Sequence, residues 1–214
     1  RPVDQFVALQ FQQTFRFAIK DFDIRIGRKS KTAIKQELYR AYNNGDIQKK
    51  SEGIYYFKSD KEFGSGITFD KLLECRYLYD DCNLPDARKT LFVKGYYTGH
   101  TFLNQIGIST QVPAIVEITT NNTSSKKREI TICGRTAIIR KPKIEITHAN
   151  WEILQFLDMF HFLTMEEVKD NKQLLINYID KKNFIMEELM KYIHLYSFST
   201  VKKLTEGGII NAFK

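Results

Sequence analysis

Apolar positions change their period several times along the chain, and each change marks an element. Ser30 is placed to cap a helix from Lys31 to about Asn43, in which Ile34, Leu38 and Ala41 fall at i, i+4 and i+7 and form one buried stripe. Thr32, Lys35, Gln36 and Tyr39 take the opposite face, and Gly45 stops the helix after Asn43 and Asn44. From Asp46 to Phe57 the pattern predicts two short strands around a Ser51-Glu52-Gly53 turn. Upstream, Asp4 to Phe17 reads as a first helix packed through Phe6, Leu9 and Phe15, and Asp21 to Gly27 as a second short helix or its approach.

Gly64-Ser65-Gly66 lies in a linker, so the pattern divides the chain into residues 1–60 and 67–214. In the second part a helix is predicted over Thr68 to Tyr79 and a strand at Leu91-Phe92-Val93. Thr98 caps a helix that Gly107 ends, and Pro113 leads into a strand from Ala114 to Thr120. Glu129 to Cys133 and Thr136 to Lys141 form a hairpin around Gly134-Arg135, with a further short strand from Ile144 to Thr147. Thr147 to Phe162 is apolar enough to be a helix buried on more than one side. Thr164 and Glu167 match a capping box for a helix through about Asp180. Ile185, Leu189, Tyr192, Ile193 and Tyr196 give another stripe, and Ser199 or Thr200 caps a last helix ending at Gly207-Gly208. The fold class is α+β: an N-terminal winged helix-turn-helix, then a mixed α+β domain with C-terminal helices.

Charge changes the picture more than composition does. The net charge is +8, concentrated in two segments. Ile24 to Lys50 holds eight Lys or Arg against Glu37 and Asp46, and Lys126 to Lys143 holds seven against Glu129, so each segment is net +6. Basic charge gathered in short runs is the electrostatic footprint of a nucleic-acid binder. A helix with a basic outer face followed at once by a basic hairpin is the winged-helix arrangement, with the helix in the major groove and the hairpin against the backbone. Lys29, Lys31, Lys49 and Lys50 are point charges suited to phosphates. Thr32, Lys35, Gln36 and Tyr39 carry groups that can read base edges, Gln36 being able to bond adenine twice, Arg25 or Arg28 suits either task, and Ser30 at the helix start belongs to the same DNA-binding surface. Lys126, Lys127, Arg128, Arg135, Arg140, Lys141 and Lys143 are candidates for a second basic surface. Two other readings stay open: a winged helix that holds a protein, and an enzyme that uses it to grip nucleic acid.

The remaining chemistry is sparse. Cys75 and Cys82 lack metal-ligand spacing, and the odd total of three cysteines argues against a disulfide framework and for a reducing cytoplasm. His100, His148, His161 and His194 are scattered. Asp21-Phe22-Asp23 lacks the Gly-Ser element of a nucleotidyltransferase, and His100, near Thr98 and Thr101, is the one remaining catalytic candidate. We therefore expect a non-enzymatic chain with no metal, cofactor, small-molecule ligand or membrane span.

Two short stretches carry a family resemblance. Gly107-Ile108-Ser109-Thr110-Gln111-Val112-Pro113 resembles the helix-to-strand turn of the AbiEi-like antitoxins, and Gly53-Ile54-Tyr55-Tyr56 is similar to the end of that family's wing. The resemblance spans roughly Phe17 to Phe162, and the C-terminal helices extend beyond it. It implies an antitoxin of a type IV (abortive infection) toxin–antitoxin system. Such a protein represses its own promoter through the winged helix and counters a nucleotidyltransferase-like toxin without a stable complex.

Overall fold

The computed structural model describes residues 31–51, 54–56, 68–80, 86–132 and 134–214. The chain divides into two compact units, Arg1–Phe92 and Val93–Lys214, and the described residues form an α+β architecture. The division falls later than the Gly64-Ser65-Gly66 linker from which the sequence placed its second domain. The two helices expected before Ser30, and Asp21-Phe22-Asp23, lie outside the described residues.

In the first unit, helix α1 (Lys31–Asn43) runs into an antiparallel hairpin of β1 (Gln48–Ser51) and β2 (Ile54–Tyr56). Leu38 and Ala41 are buried along α1, and Ile47 is buried just before β1. Gly45 adopts φ +81°, and the Asp46 and Ile47 amides donate back to the Ala41 carbonyl, so the turn satisfies backbone acceptors at the helix end. The hairpin register shifts between Lys49 and Ser51, a bulge that bends the ribbon. Next, α2 (Phe69–Leu73) is capped by the Thr68 hydroxyl, which accepts from the Lys71 amide at 3.2 Å, and continues into a π-helical turn, Glu74–Leu78. After α3 (Asp86–Lys89) the chain makes a 3-10 turn, Thr90–Phe92, where the sequence predicts a strand. Leu91 and Phe92 are exposed there, because the turn continues the helix and offers no sheet face to cover them.

One cysteine expectation is overturned. Cys75 is buried and disulfide-bonded, to a partner outside the described residues. An odd cysteine count excludes a fully paired set but not a single bond, so the thiol argument for a reducing compartment falls. Among the described residues no helix is long and apolar enough to cross a membrane.

The second unit is built on a four-stranded sheet in the order β3-β4-β6-β5, where β3 is Gly95–Tyr97, β4 Val116–Thr120, β5 Lys127–Ile132 and β6 Arg135–Arg140. The β5–β6 hairpin turns at Gly134 (φ +74°) and inserts β6 parallel to β4. All five β4 residues are buried. Between β3 and β4, α4 (Gly99–Gln105) ends at Gly107 (φ +83°), where the Ile108 and Ser109 amides donate to the Leu103 carbonyl. Asn104 donates its side-chain amide to the Ser109 carbonyl, and the Ser109 hydroxyl accepts from the Gln111 amide, so the turn into β4 is a self-contained hydrogen-bonded unit. The predicted strand at Ile144 to Thr147 is absent. Asn121 bonds both backbone groups of Ile146, and Asn150 bonds the Glu145 carbonyl and the Thr147 amide, so side-chain amides take the groups a strand neighbour would pair.

Helix α5 (Trp151–Met159) buries Ile153, Leu154, Gln155, Phe156, Leu157 and Met159. Beyond it lie α6 (Met165–Asp170), α7 (Lys172–Lys182), α8 (Met186–Ile193) and α9 (Phe198–Glu206). The Thr164–Glu167 capping box forms at α6, with the Glu167 carboxylate accepting from the Thr164 amide at 2.7 Å. The helix expected to run on to Asp180 breaks at Asn171, whose side chain donates to the Glu167 carbonyl that also accepts from its own amide. Phe156 is the hub of this layer, with its ring 5.2–5.9 Å from those of Phe160, Tyr178, Phe184 and Phe213. Replacing it in Phe156→Ala empties the centre of that cluster. The expected loss is about 3–5 kcal/mol, read in urea denaturation followed by the fluorescence of Trp151.

Candidate nucleic-acid interface

Helix α1 has one buried and one open face. Leu38 and Ala41 are 6% and 5% exposed, whereas Thr32, Gln36, Tyr39, Arg40 and Asn43 are all exposed, Tyr39 at 62%. At 100° per residue Thr32, Gln36, Tyr39 and Asn43 fall close together on the side opposite Leu38, with Arg40 at its edge. The open face thus carries an amide at Gln36, a phenol at Tyr39, a guanidinium at Arg40 and a second amide at Asn43, groups that reach base edges or phosphates. Arg40 and Asn43 are additions to the residues singled out from sequence. The same wheel would have found them, since they extend the Thr32–Gln36–Tyr39 arc by one turn.

Lys31 and Lys35 lie on α1, and Lys49 and Lys50 on β1, the latter at the bulge; the side chains of these four are outside the description. Arg25, Arg28, Lys29 and Ser30 lie wholly outside the described residues.

The seven cations of the second basic segment separate into distinct settings. Lys126, Lys127 and Lys141 are exposed at the open end of the β5–β6 hairpin, where the Lys141 amide donates to the Lys126 carbonyl at 3.1 Å. Lys127 pairs across the strands with Arg140, a like-charge juxtaposition that is unfavourable by itself. Arg140 is drawn instead to Glu117 on β4, with guanidinium nitrogens 2.6 and 3.2 Å from one carboxylate oxygen, and it lies 5.4 Å above the Phe162 ring. Lys143 sits 4.8 Å over the Tyr196 ring. Arg135 is at the turn end of the hairpin, and Arg128 is in register with buried Ile139, on the sheet face opposite Lys127.

Glu117 also explains a glycine. Gly99 has φ +59°, and a Cβ there would meet the Glu117 carboxylate at 2.3 Å. His100 is exposed, edge-on to Phe162, and its charged neighbour Glu167 is already engaged in the α6 capping box. Hydrogen bonds from Thr164 hold the Glu167 carboxyl below its ordinary range. Among the described residues no three His, Cys, Asp or Glu side chains gather to hold a metal ion.

This geometry separates a structural cation from surface ones. Arg140→Ala leaves Glu117, 7% exposed, without its counter-charge. The expected loss is about 2–3 kcal/mol, less than for a fully buried pair because the guanidinium is partly solvated. Lys127→Ala stays within about 0.5 kcal/mol of the parent; both are read by chemical denaturation. No family model, no curated protein and no solved structure matches the chain.

Proposed function

We propose that the protein is a DNA-binding repressor that grips promoter DNA through helix α1 and the β1–β2 wing, and that it serves as the antitoxin of a type IV toxin–antitoxin pair. The observation that carries the DNA reading is the open face of α1: Thr32, Gln36, Tyr39, Arg40 and Asn43 stand opposite the buried Leu38 and Ala41. A hairpin bearing Lys49 and Lys50 follows at once. A helix seated in the major groove presents such side chains to base edges, and a ribbon behind it lies along the phosphates. Gln36 reads adenine through paired donor and acceptor, while Arg40 suits guanine or a phosphate. Arg25, Arg28, Lys29, Ser30, Lys31 and Lys35 complete this surface as the sequence assigns them. The exposed Lys126, Lys127 and Lys141 add positive charge without base readout.

The antitoxin half rests on the resemblance of Gly107 to Pro113 and of Gly53 to Tyr56 to the AbiEi-like family. In that role the chain silences its own operon and opposes a nucleotidyltransferase-like toxin without holding it.

Binding to duplex DNA should weaken steeply as salt rises, because each neutralised phosphate releases counterions. Lys49→Ala is expected to lower affinity for all sequences alike and to reduce the log–log salt slope by about one. Gln36→Ala should narrow the gap between specific and non-specific sites by about 1–3 kcal/mol. Fluorescence anisotropy at several salt concentrations reads both, and unchanged affinity in both variants overturns the docking. For the antitoxin role, co-expression with the product of an adjacent nucleotidyltransferase-like reading frame should restore growth; growth arrest that persists sinks it.

A further inference from the structure

Between α8 and α9 the second unit has an apolar groove of about 390 Å³. Leu189 and Ile193 come from α8, Leu204 from α9, and Ile210 from the 3-10 turn Ile210–Ala212 that follows. Leu189 and Leu204 are buried and make its floor. Met190 and Phe198 also line it, yet they are 60% and 80% exposed. The period of α9 explains the second of these. Thr200 and Leu204 take the inward side, so Phe198 falls with Lys202 and Thr205 on the outer one. A phenylalanine and a methionine standing in water beside an apolar hollow forgo the burial that drives association, and such a patch marks an interaction site. Aromatic residues and methionine are also the types that interfaces concentrate.

Charge decides the occupant. The chain carries +8 overall, so most of its surface repels a copy of itself. From Met186 to Glu206, however, Glu187, Glu188 and Glu206 offset Lys191, Lys202 and Lys203, and the walls of the groove are neutral. Each helix presents both signs. Glu187 and Lys191 are exposed on α8, and the Lys202 ammonium lies 3.8 Å from Glu206 on α9. Nucleic acid or an anionic lipid surface requires a net positive face, which this one is not. A second copy requires a face that is apolar at the centre, balanced at the rim and complementary to itself. Here the projecting side chains and the hollow lie on one face. A two-fold axis then sets each copy's Phe198 into the other's groove and brings the acids of one rim near the bases of the other. We propose that the chain forms a homodimer through α8 and α9, with Phe198 and Met190 of each copy filling the groove of its partner. This inference does not rest on the DNA reading, because self-association is measured without nucleic acid.

Sedimentation velocity of the whole chain at rising concentration, up to the millimolar range, is expected to show monomer and dimer in exchange. Phe198→Glu and Met190→Glu each put two carboxylates into the apolar centre and should weaken the dimer by about tenfold or more. Val112→Glu, at a side chain 82% exposed elsewhere in the unit, leaves the dimer unchanged. All three positions are exposed, so each variant keeps its fold; circular dichroism and the thermal midpoint check this, and either groove variant serves if the other does not fold. Rising salt screens the repulsion between two positive copies, so the dimer holds or tightens, the reverse of a contact made to phosphates. A parent that stays monomeric throughout overturns the proposal. Fluorescence of bound anilinonaphthalenesulfonate that is then lost in Phe198→Glu assigns the groove to an apolar small molecule instead. A dimer that survives both groove variants overturns it equally, since another face then holds the copies.

Discussion

A helix that buries most of its length constrains everything around it, and α5, with six of its nine residues buried, is that helix. The sheet needs an apolar cover on the side of Tyr96 and Thr119, and the C-terminal helices need a common surface for Phe160, Phe184 and Phe213. Phe156 supplies the second, while Gln155 and Asp158 face the sheet and must be satisfied there. Gln155 donates to the Tyr97 carbonyl at 2.8 Å, and Asp158 takes the Tyr96 and Thr119 hydroxyls. Placing two polar groups on the sheet-facing side of one helix is tolerable only because each finds a partner there. The order of the layer follows: strands first, α5 upon them, then α6 to α9 around its outer side.

The same economy sorts the positive charge. A run of seven cations on a hairpin cannot all reach solvent in one patch, because alternate strand residues face opposite ways and neighbouring strands set like charges side by side. Arg140 leaves the crowd for Glu117, Lys143 lies down on Tyr196, and Arg128 and Arg135 go to another face and another end. Lys126, Lys127 and Lys141 remain at the rim. On α1, by contrast, 3.6-residue periodicity keeps the polar side chains on one side by itself, which is why that helix is the better candidate for a recognition surface.

Much of the local structure was legible because it is governed by neighbours in sequence. The Leu38 and Ala41 part of the α1 stripe, the Gly45 stop, the Thr164–Glu167 box, the Gly107 turn and the Gly134 hairpin each depend on residues near one another in sequence, and each is present. The expectations that failed were those that a distant or competing partner decided. Ile144 to Thr147 has strand composition, yet Asn121 and Asn150 take its backbone groups. The helix after Thr164 breaks at Asn171, whose side chain bonds back to the Glu167 carbonyl. Leu91 and Phe92 follow a helical turn rather than a sheet edge, and Cys75 is bonded despite an odd cysteine count.

By itself, then, the sequence determined most of the elements, the Thr164–Glu167 box, the α+β class and the open polar face of α1, since these arise from period and short-range hydrogen bonding; the cap expected at Thr98 forms no side-chain bond, and Ser199 and Thr200 lie inside α9 rather than at its start. Only the tertiary structure decided that β6 pairs in parallel with β4, that Arg140 is an internal partner of Glu117, and that Asp158 meets Tyr96. Those pairings join residues 21 to 62 positions apart, a range over which local periodicity carries no information and only the closing of the core selects which side chains meet.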